Sequence, residues 1–284
     1  IRRFFDAYAR DNELPFYNHV KHEGFFRTLM IRTSSTGEVM IAVQFAQDNQ
    51  KAIDDCLNAF VAAFPKVNSV NYFLNQKKND SYQDLEAHHF AGKPYIEEEM
   101  EGLKFRIGVK SFYQTNSDQA YELYKVTREM AEITPDDIVY DLYTGTGTIA
   151  NFVAINAKKV VGVEYVPEAI EDAKINSINN KVHNTVFYAG NMKDILNAEF
   201  IQKEGKPSVV ITDPPRAGMD KEVVETILEM EADRIVYVSC NAATQARDVA
   251  LLSQKYEVLE AQPVDMFPHT HHVENIVKLG LKKA

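Results

Sequence analysis

The stretch IVYDLYTGTGTIA (residues 138–150) predicts a buried strand, a glycine turn and the start of a helix. Its first five residues form an apolar run of strand length, and the glycine-rich segment follows directly. Gly145 and Gly147 allow a tight turn and a close approach of a ligand to the backbone. This unit therefore predicts an open α/β sheet that binds a ligand at the carboxyl ends of its strands.

Strand-like and helical patterns alternate through residues 101–284, which we assign to one domain. Strands separated by helical segments are typical of a parallel, doubly wound sheet, so we predict that α/β fold class here. The strand-like runs are IVYDL (138–142), VVGVE (160–164), VFYAG (186–190), SVVIT (208–212), RIVYVS (234–239) and VENIVKLGL (273–281).

Residues 1–100 predict a smaller α+β domain. A helix over 1–11 precedes two strand-like runs around the turn at 34–37, which is typical of a hairpin. A helix near 50–63 has its apolar residues, Cys56 among them, on one face, and a strand follows at 69–76. Residues 79–102 are polar and acidic, and we assign them no element and place the domain boundary near residue 100.

Composition limits the classes of function. The net charge of −10 disfavours a nucleic-acid partner, so RNA binding would need a local basic surface or a basic module outside this chain. Two distant cysteines exclude a disulfide framework within the chain and predict a cytoplasmic protein. No apolar run reaches membrane-spanning length, and a start at Ile1 predicts a fragment that lacks its N-terminal part.

Two carboxylates make the glycine turn more specific. Glu164 ends the next strand, where an acid can accept hydrogen bonds from ribose hydroxyls. Asp141 precedes the turn and would repel a pyrophosphate, but it suits a cationic ligand without phosphate such as S-adenosylmethionine. NAD stays an alternative because the turn also fits the dinucleotide fingerprint. Asn191 follows the third strand and either borders an adenine or is a simple turn residue.

A chemical site is predicted at the same edge of the sheet. Asp213 ends the strand SVVIT, and the two prolines after it stiffen the loop. Cys240 follows RIVYVS and precedes a helical segment, so we expect the helix terminus to lower the pKa of this nucleophilic thiol. Glu274 is a candidate general base. The histidines at 269, 271 and 272 fit no familiar zinc spacing, so we predict no metal.

At this point the chain resembles the RNA 5-methyluridine (uracil-C5) methyltransferases of the bacterial rRNA and tRNA type. The resemblance covers residues 103–281, and Thr148 departs from it where many relatives have Asn. It is carried by SFYQTN (111–116), DLYTGTGTIA (141–150), VGVEYVPEAIEDAKINSINN (161–180), ITDPPRAG (211–218), YVSCN (237–241) and DMFPHTHHVE (265–274).

The resemblance implies a Rossmann-like class I methyltransferase domain that uses S-adenosylmethionine to methylate uracil C5 in RNA. It makes Cys240 the nucleophile and Glu274 the base, with Phe112, Gln114 and Asp213 at the uracil, whose N3–H Asp213 would contact. The implied cofactor-binding residues are Gln114, Asp141, Tyr143, Gly145, Gly147, Glu164, Asn191 and Asp213.

The implied partner is RNA, contacted in part by the first domain, with no membrane or protein partner inferred. DMFPHTHHVE favours 23S rRNA over tRNA. Relatives often carry an N-terminal oligonucleotide-binding-like module and, in some, a four-cysteine iron–sulfur cluster, and neither is in this chain. Weaker alternatives are a cytosine-C5 methyltransferase, whose family usually uses two active-site cysteines, a dinucleotide oxidoreductase, and a non-catalytic RNA-binding protein.

Overall fold

The computed structural model describes residues 1–283, and the chain divides into two compact units. The first contains residues 1–99 and 106–110, and the second contains residues 100–105 and the chain from 111 onward. That residues 1–100 and 101–284 are separate domains, each with its own role, remains a prediction. No helix within the described residues has the length and apolarity needed to cross a membrane.

The first unit is a four-stranded sheet packed on two helices. Its core forms because alternate residues of one strand, Ile41, Val43 and Phe45, meet Leu57 and Phe60 of a helix. The helices predicted at 1–11 and 50–63 and the hairpin around 34–37 are confirmed. In chain order the elements are α1 (Arg2–Asp11), β1 (Phe26–Thr33), β2 (Val39–Phe45), α2 (Gln50–Ala63), β3 (Ser69–Leu74) and β4 (His88–Gly92), with the strands in the order β1-β2-β3-β4.

Strands also occupy the polar segment to which the sequence assigned no element. Besides β4, it contains β5 (Tyr95–Met100), which forms a two-stranded sheet with β6 (Leu103–Gly108). Burial alternates along β5, where Ile96, Glu98 and Met100 are buried. A glutamate at one of the buried positions hides the period-2 apolar pattern, which is why the strand was missed.

The second unit is a seven-stranded sheet with helices between its strands. All six strands predicted there are present. The elements are α3 (Ser117–Ala131), β7 (Ile138–Leu142), α4 (Thr148–Ala154), β8 (Lys159–Glu164), α5 (Pro167–Asn179), β9 (Thr185–Ala189), α6 (Met192–Ile195), α7 (Ala198–Glu204), β10 (Val209–Thr212), α8 (Lys221–Met230), β11 (Arg234–Ser239), α9 (Ala242–Leu252), β12 (Tyr256–Val264) and β13 (Glu274–Leu281).

The order of the sheet is β12-β13-β11-β10-β7-β8-β9. Strands β9, β8, β7, β10 and β11 are parallel, as predicted, but β13 runs antiparallel to both β11 and β12. The expectation of a wholly parallel sheet is therefore wrong at this edge. Strand β12 was missed because it is an edge strand with seven exposed residues and no apolar run. The parallel strands all end at one edge, and Asp141, Glu164, Asp213 and Cys240 lie at or directly beside those ends.

Candidate active site

The glycine turn after β7 has a left-handed backbone. Tyr143, Gly145 and Gly147 have φ of 64°, 55° and 74°. A Cβ on Gly147 would lie 2.9 Å from the Cβ of Ala173, so this position needs glycine for space as well as for conformation. The amide of Thr144 donates to the carbonyl of Val163 at 3.1 Å, which joins the turn to β8.

Asp141 lies fully buried beneath this turn. Its Oδ2 accepts a hydrogen bond from Oγ1 of Thr144 at 2.5 Å. Its Oδ1 has no hydrogen-bond partner in the part of the chain that the structure describes. Burial raises the pKa of Asp141 from 3.8 to about 7. A buried acceptor without a donor is unfavourable, so this oxygen suits an ammonium or another N–H donor of a ligand.

Glu164 is half-buried at the end of β8, beside the turn. Its Oε2 accepts from the amide of Gly145 at 3.1 Å, and its Oε1 accepts from the amide of Val166 at 3.0 Å. Each carboxylate oxygen has two lone-pair sites, so both oxygens can accept further hydrogen bonds. The carboxylate thus fixes the turn and can also receive ligand hydroxyls, which combines the structural and the binding interpretations of this residue.

Two predicted residues have defined local roles. Asn191 is the N-cap of α6, where its side chain accepts from the amide of Lys193 at 3.2 Å, so the turn interpretation holds for its oxygen. Gln114 is half-buried and Phe112 is 71% exposed, both in the segment 111–116. Asn116 anchors this segment, because its Nδ2 donates to the carbonyl of Met266 at 2.9 Å.

Strand register places Cys240 beside Glu274. Ser239 and Asn275 form the last pair between β11 and β13, so Cys240 and Glu274 each lie one residue beyond that pair, at the same end of the ladder. The charge of Glu274 acts on the Cys240 thiol and raises its pKa after burial does, so the two side chains lie within electrostatic reach of each other. Glu274 is 8% exposed, and burial raises its pKa. A buried carboxyl with a raised pKa next to a thiol suits a general base.

Asp213 is close to the same pair. Its amide donates to the carbonyl of Leu142 at 3.3 Å, which places it beside the end of β7. Burial raises the pKa of Asp213 to about 8, and the charges of Glu274 and Asp141 act in the same direction. Both effects favour the protonated carboxyl, and in that form it has one donor and one acceptor for a ligand.

The expected lowering of the Cys240 pKa is wrong. Burial raises the pKa of the half-buried thiol, the charges of Glu274 and Asp213 raise it further, and Arg216 opposes them. Cys240 precedes Asn241, the N-cap of α9, whose side chain accepts from the amide of Ala243 at 3.1 Å. The helix terminus is thus capped by its own asparagine, and burial, followed by the nearby carboxylates, sets the direction of the shift.

Two further features complete the site. Tyr124 of α3 was missed by the sequence, which offers no signal beyond a helical pattern. Burial and then the charges of Asp213, Tyr113, Asp141 and Glu274 raise its pKa, so its hydroxyl lies among the carboxyl groups as a neutral donor. Of the histidines, His272 contacts Arg216, with Nδ1 and Nη2 3.2 Å apart. Within residues 1–283, no group of three His, Cys, Asp or Glu is arranged to hold a metal.

The site therefore contains the thiol of Cys240, the buried carboxyl of Glu274 with a raised pKa, the carboxyl of Asp213, whose protonated form can both donate and accept, and the buried acid Asp141, which suits a cationic ligand. Cys56, in contrast, lies buried in the core of the first unit, and burial raises its pKa to about 12. It was predicted to be a core residue, and its position agrees with that.

Comparison with known proteins adds to this geometry. RNA methyltransferases described as uncharacterized, from Bacteroides thetaiotaomicron and Porphyromonas gingivalis, are 56% and 57% identical over 99% and 98% of this chain. The chain spans 63% and 61% of their lengths. A crystal structure of Pyrococcus abyssi tRNA (uracil-54, C5)-methyltransferase in complex with S-adenosyl-L-homocysteine is 32% identical, with a TM-score of 0.81, over 98% of this chain and 65% of that one.

The structural likeness confirms the Rossmann-like methyltransferase fold expected from the motifs. The sequence model of a family described as tRNA (Uracil-5-)-methyltransferase matches residues 92–282, which is more than half of the chain and includes every predicted site residue. The chain therefore belongs to the tRNA (uracil-5-)-methyltransferase family, as its motifs predicted.

Proposed function

We propose that this chain is the catalytic part of an RNA methyltransferase that transfers a methyl group from S-adenosylmethionine to C5 of a uracil. The observation that carries this proposal is that Cys240 and Glu274 each lie one residue beyond the last pair of β11 and β13, and that the charges of Glu274 and Asp213 both act on the thiol. Hydride transfer by a dinucleotide oxidoreductase would leave the grouping of Cys240, Glu274 and Asp213 unexplained. The second cysteine, Cys56, lies in a different unit, which argues against the cytosine-C5 alternative.

The turn after β7 suits this methyl donor. Asp141 has a buried oxygen without a donor, and the amino group of S-adenosylmethionine supplies N–H donors and positive charge. Glu164 would accept hydrogen bonds from its ribose hydroxyls, and Gln114, Tyr143, Asn191 and the two turn glycines would line its pocket. When bound, the cofactor supplies an electrophilic methyl group. A pyrophosphate would be repelled by Asp141, which disfavours NAD.

The uracil site is proposed around Asp213. A uracil edge presents N3–H as a donor next to a carbonyl oxygen as an acceptor. A protonated carboxyl presents the complementary acceptor and donor, so Asp213 can form both hydrogen bonds. Its donated hydrogen bond would stabilise negative charge on the carbonyl oxygen during reaction. Phe112 is exposed and lies two residues before Gln114, and its ring offers a stacking surface for the flipped base.

The chemistry follows from the reactivity of uracil. C5 is a poor nucleophile, and addition of the Cys240 thiolate to C6 makes an enolate-like species with electron density on C5. C5 would then take the methyl group, whose bond to the sulfonium sulfur breaks and leaves S-adenosylhomocysteine. Glu274 removes the C5 proton, the C6–S bond breaks, and the thiolate leaves with 5-methyluridine as the product. Burial keeps the pKa of Glu274 high, which helps it to accept that proton.

The RNA substrate is proposed to be 23S rRNA. DMFPHTHHVE (265–274), which contains Glu274, carries that preference. A tRNA is the second candidate, favoured by the Pyrococcus abyssi structure. Mass spectrometry of rRNA and tRNA from cells with and without the gene tests both. The 5-methyluridine lost with the gene should map to 23S rRNA, and a loss confined to tRNA would overturn that assignment.

Step-specific variants test the roles of the two catalytic residues. With RNA from gene-deleted cells and a cofactor that carries a labelled methyl group, Cys240→Ala should form no covalent protein–RNA complex. Glu274→Gln should add to uracil and accept the methyl group, then stall, because elimination requires loss of the C5 proton. A labelled, slow-migrating band on a denaturing gel should therefore accumulate only in Glu274→Gln.

Cys56→Ala is the matched control and should behave like the wild type, because that thiol is buried in the first unit. Normal turnover by Glu274→Gln, or an adduct formed by Cys240→Ala, would contradict the roles. Absence of 5-methyluridine formation by the wild type on every RNA fraction would contradict the proposed activity itself.

A further inference from the structure

Helix α9 makes hydrogen bonds to two segments that hold proposed active-site residues. One is the loop that follows β10, residues 213–220, which begins with Asp213. The other is the start of β13, which begins with Glu274. Cys240 lies two residues before the helix. The helix thus borders all three groups, although none of its side chains belongs to the predicted site.

The first contact is made by Gln245, which is 2% exposed. Its Nε2 donates to the carbonyl of Tyr237 in β11 at 2.8 Å and to the carbonyl of Asn275 in β13 at 2.9 Å. Its Oε1 accepts from Nδ2 of Asn275 at 2.7 Å. The amide is bonded on both sides, so it fixes the end of β13 one residue from Glu274.

The second contact is made by Asp248, which is fully buried. Its Oδ2 accepts from the amide of Met219 at 2.9 Å and from the hydroxyl of Tyr237 at 2.7 Å. Its Oδ1 accepts from Nε of Arg247 at 2.8 Å, and Nη2 of Arg247 donates to the carbonyls of Ala217 and Met219 at 3.1 Å each. The carboxylate of Asp248 and the guanidinium of Arg247 thus bind the backbone of the loop at Ala217 and Met219.

The loop lies tightly against these side chains. A Cβ on Gly218 would lie 2.7 Å from Oδ2 of Asp248 and 2.7 Å from Nη2 of Arg247. Nearer the start of the helix, Oγ1 of Thr244 and Nδ2 of Asn241 both donate to the carbonyl of Arg216, at 3.2 and 3.1 Å. The loop that begins at Asp213 is therefore held at successive backbone groups rather than by apolar packing alone.

We propose that α9 is a positioning element with two separable contacts, in which Gln245 places Glu274 and Asp248 with Arg247 places Asp213. The inference rests on the proposed function, because it assigns each contact to a different step of that reaction. Both are positioning residues, since neither touches the reacting atoms. The Gln245 contact is one residue from Glu274, whereas the contacts of Asp248 and Arg247 are with Met219 and Ala217, farther along the loop that Asp213 begins. A misplacement of about 1 Å can lower a rate on the order of 100-fold, so both contacts should have measurable effects.

Gln245→Met keeps the length of the side chain and removes its three hydrogen bonds to Tyr237 and Asn275. Addition and methyl transfer should continue while proton removal slows. We expect kcat to fall by about 10- to 100-fold with KM for RNA nearly unchanged, and the methylated adduct to accumulate as it does in Glu274→Gln. Gln254→Met, at an exposed position just after the same helix, is the control and should match the wild type.

Asp248→Asn keeps the shape of the side chain but weakens its grip on Met219 and Arg247. Because Asp213 would engage the uracil before the thiol adds, this variant should fail earlier. We expect adduct formation to slow by about 10-fold or more, KM for RNA to rise, and no adduct to accumulate. Asp233→Asn, an exposed aspartate outside the helix, is the control.

Circular dichroism and urea unfolding establish that each variant is folded. Gln245→Glu, which keeps the acceptor for Asn275 and loses the two donated bonds, replaces Gln245→Met if that variant does not fold. Two different failure profiles support the inference. The inference is overturned if both folded variants lose kcat and kcat/KM equally and accumulate no adduct. It is also overturned if both variants have wild-type kinetics. Absence of 5-methyluridine formation by the wild type overturns the proposed function instead.

Discussion

Asp141→Asn is expected to stabilise the free protein above neutral pH and to abolish binding of the methyl donor. The carboxyl is fully buried, and its pKa rises from 3.8 to about 7 because burial disfavours the charged form. Below about pH 4 it is protonated in both the folded and the unfolded chain. Between pH 4 and pH 7 only the unfolded chain releases the proton, so the free energy of unfolding falls as pH rises and levels off above pH 7.

The magnitude follows from the shift. A rise of about three pKa units corresponds to about 4 kcal/mol at about 1.4 kcal/mol per unit. Asparagine has the same shape, can still accept from Thr144, and does not ionise. The free energy of unfolding of Asp141→Asn minus that of the wild type should therefore increase by about 4 kcal/mol between pH 4 and pH 8.

Urea unfolding at several pH values, followed by circular dichroism, measures this difference. Asp136→Asn, an exposed aspartate two residues before β7, should show no comparable change. S-adenosylhomocysteine should raise the unfolding temperature of the wild type but not that of Asp141→Asn. A difference between variant and wild type that stays constant across pH would refute the buried-charge reasoning, whatever its sign.

Three further outcomes are expected. Gly147→Ala should lower the free energy of unfolding by about 1–3 kcal/mol in urea, because φ is 74° and Ala173 is too close, whereas Gly37→Ala, with φ of 82° and open space, should lose less. Cys56→Ala should keep full methyltransferase activity and lower stability by about 1–2 kcal/mol, measured by the same unfolding, because it removes a buried core atom. Calorimetric titration should detect binding of S-adenosylhomocysteine and no binding of NAD. Micromolar binding of NAD without binding of S-adenosylhomocysteine would refute the interpretation of Asp141.

The parallel part of the sheet could be predicted because its strands are short apolar runs between helices. The antiparallel edge could not, because β12 has seven exposed residues and β13 looks like any other buried strand. That edge matters for function. The placement of Glu274 at the same end of the sheet as Cys240 depends on the direction of β13, which no local pattern specifies.

The candidate residues could be predicted, but their electrostatic environment could not. Strand ends followed by Asp213 and Cys240 are visible in the sequence, and so is the glycine turn. Burial raises the pKa of both Asp213 and Glu274, and the charges of Glu274 and Asp141, which are distant in sequence, raise that of Asp213 further. The contacts of Gln245 and Asp248 were missed for the same reason, since a buried polar residue on an amphipathic helix has no distinctive spacing.

The division of charge bears on where RNA would bind. The first unit has 13 Lys and Arg against 14 Asp and Glu, which leaves it at −1. The second unit has 18 against 27 and so carries −9 of the total. Repulsion of the phosphate backbone is therefore strongest at the unit that holds the proposed active site, and the nearly neutral first unit is the better proposed contact for RNA.

The reactivity of Cys240 gives the sharpest test of the site's electrostatics. In the free protein its thiol should react slowly with iodoacetamide, with a midpoint above the 9.0 of an ordinary cysteine, because burial and the charges of Glu274 and Asp213 disfavour the thiolate. Glu274→Gln and Asp213→Asn each remove one of those charges and should shift the midpoint downward. Arg216→Gln should shift it upward, since the guanidinium opposes the carboxylates. A wild-type midpoint below 9.0 that none of the three substitutions moves would mean that the helix terminus controls the thiol after all. If the midpoint lies above 9.0 and the three substitutions shift it as expected, the Cys240 thiol is held protonated until bound ligands change the charge around it.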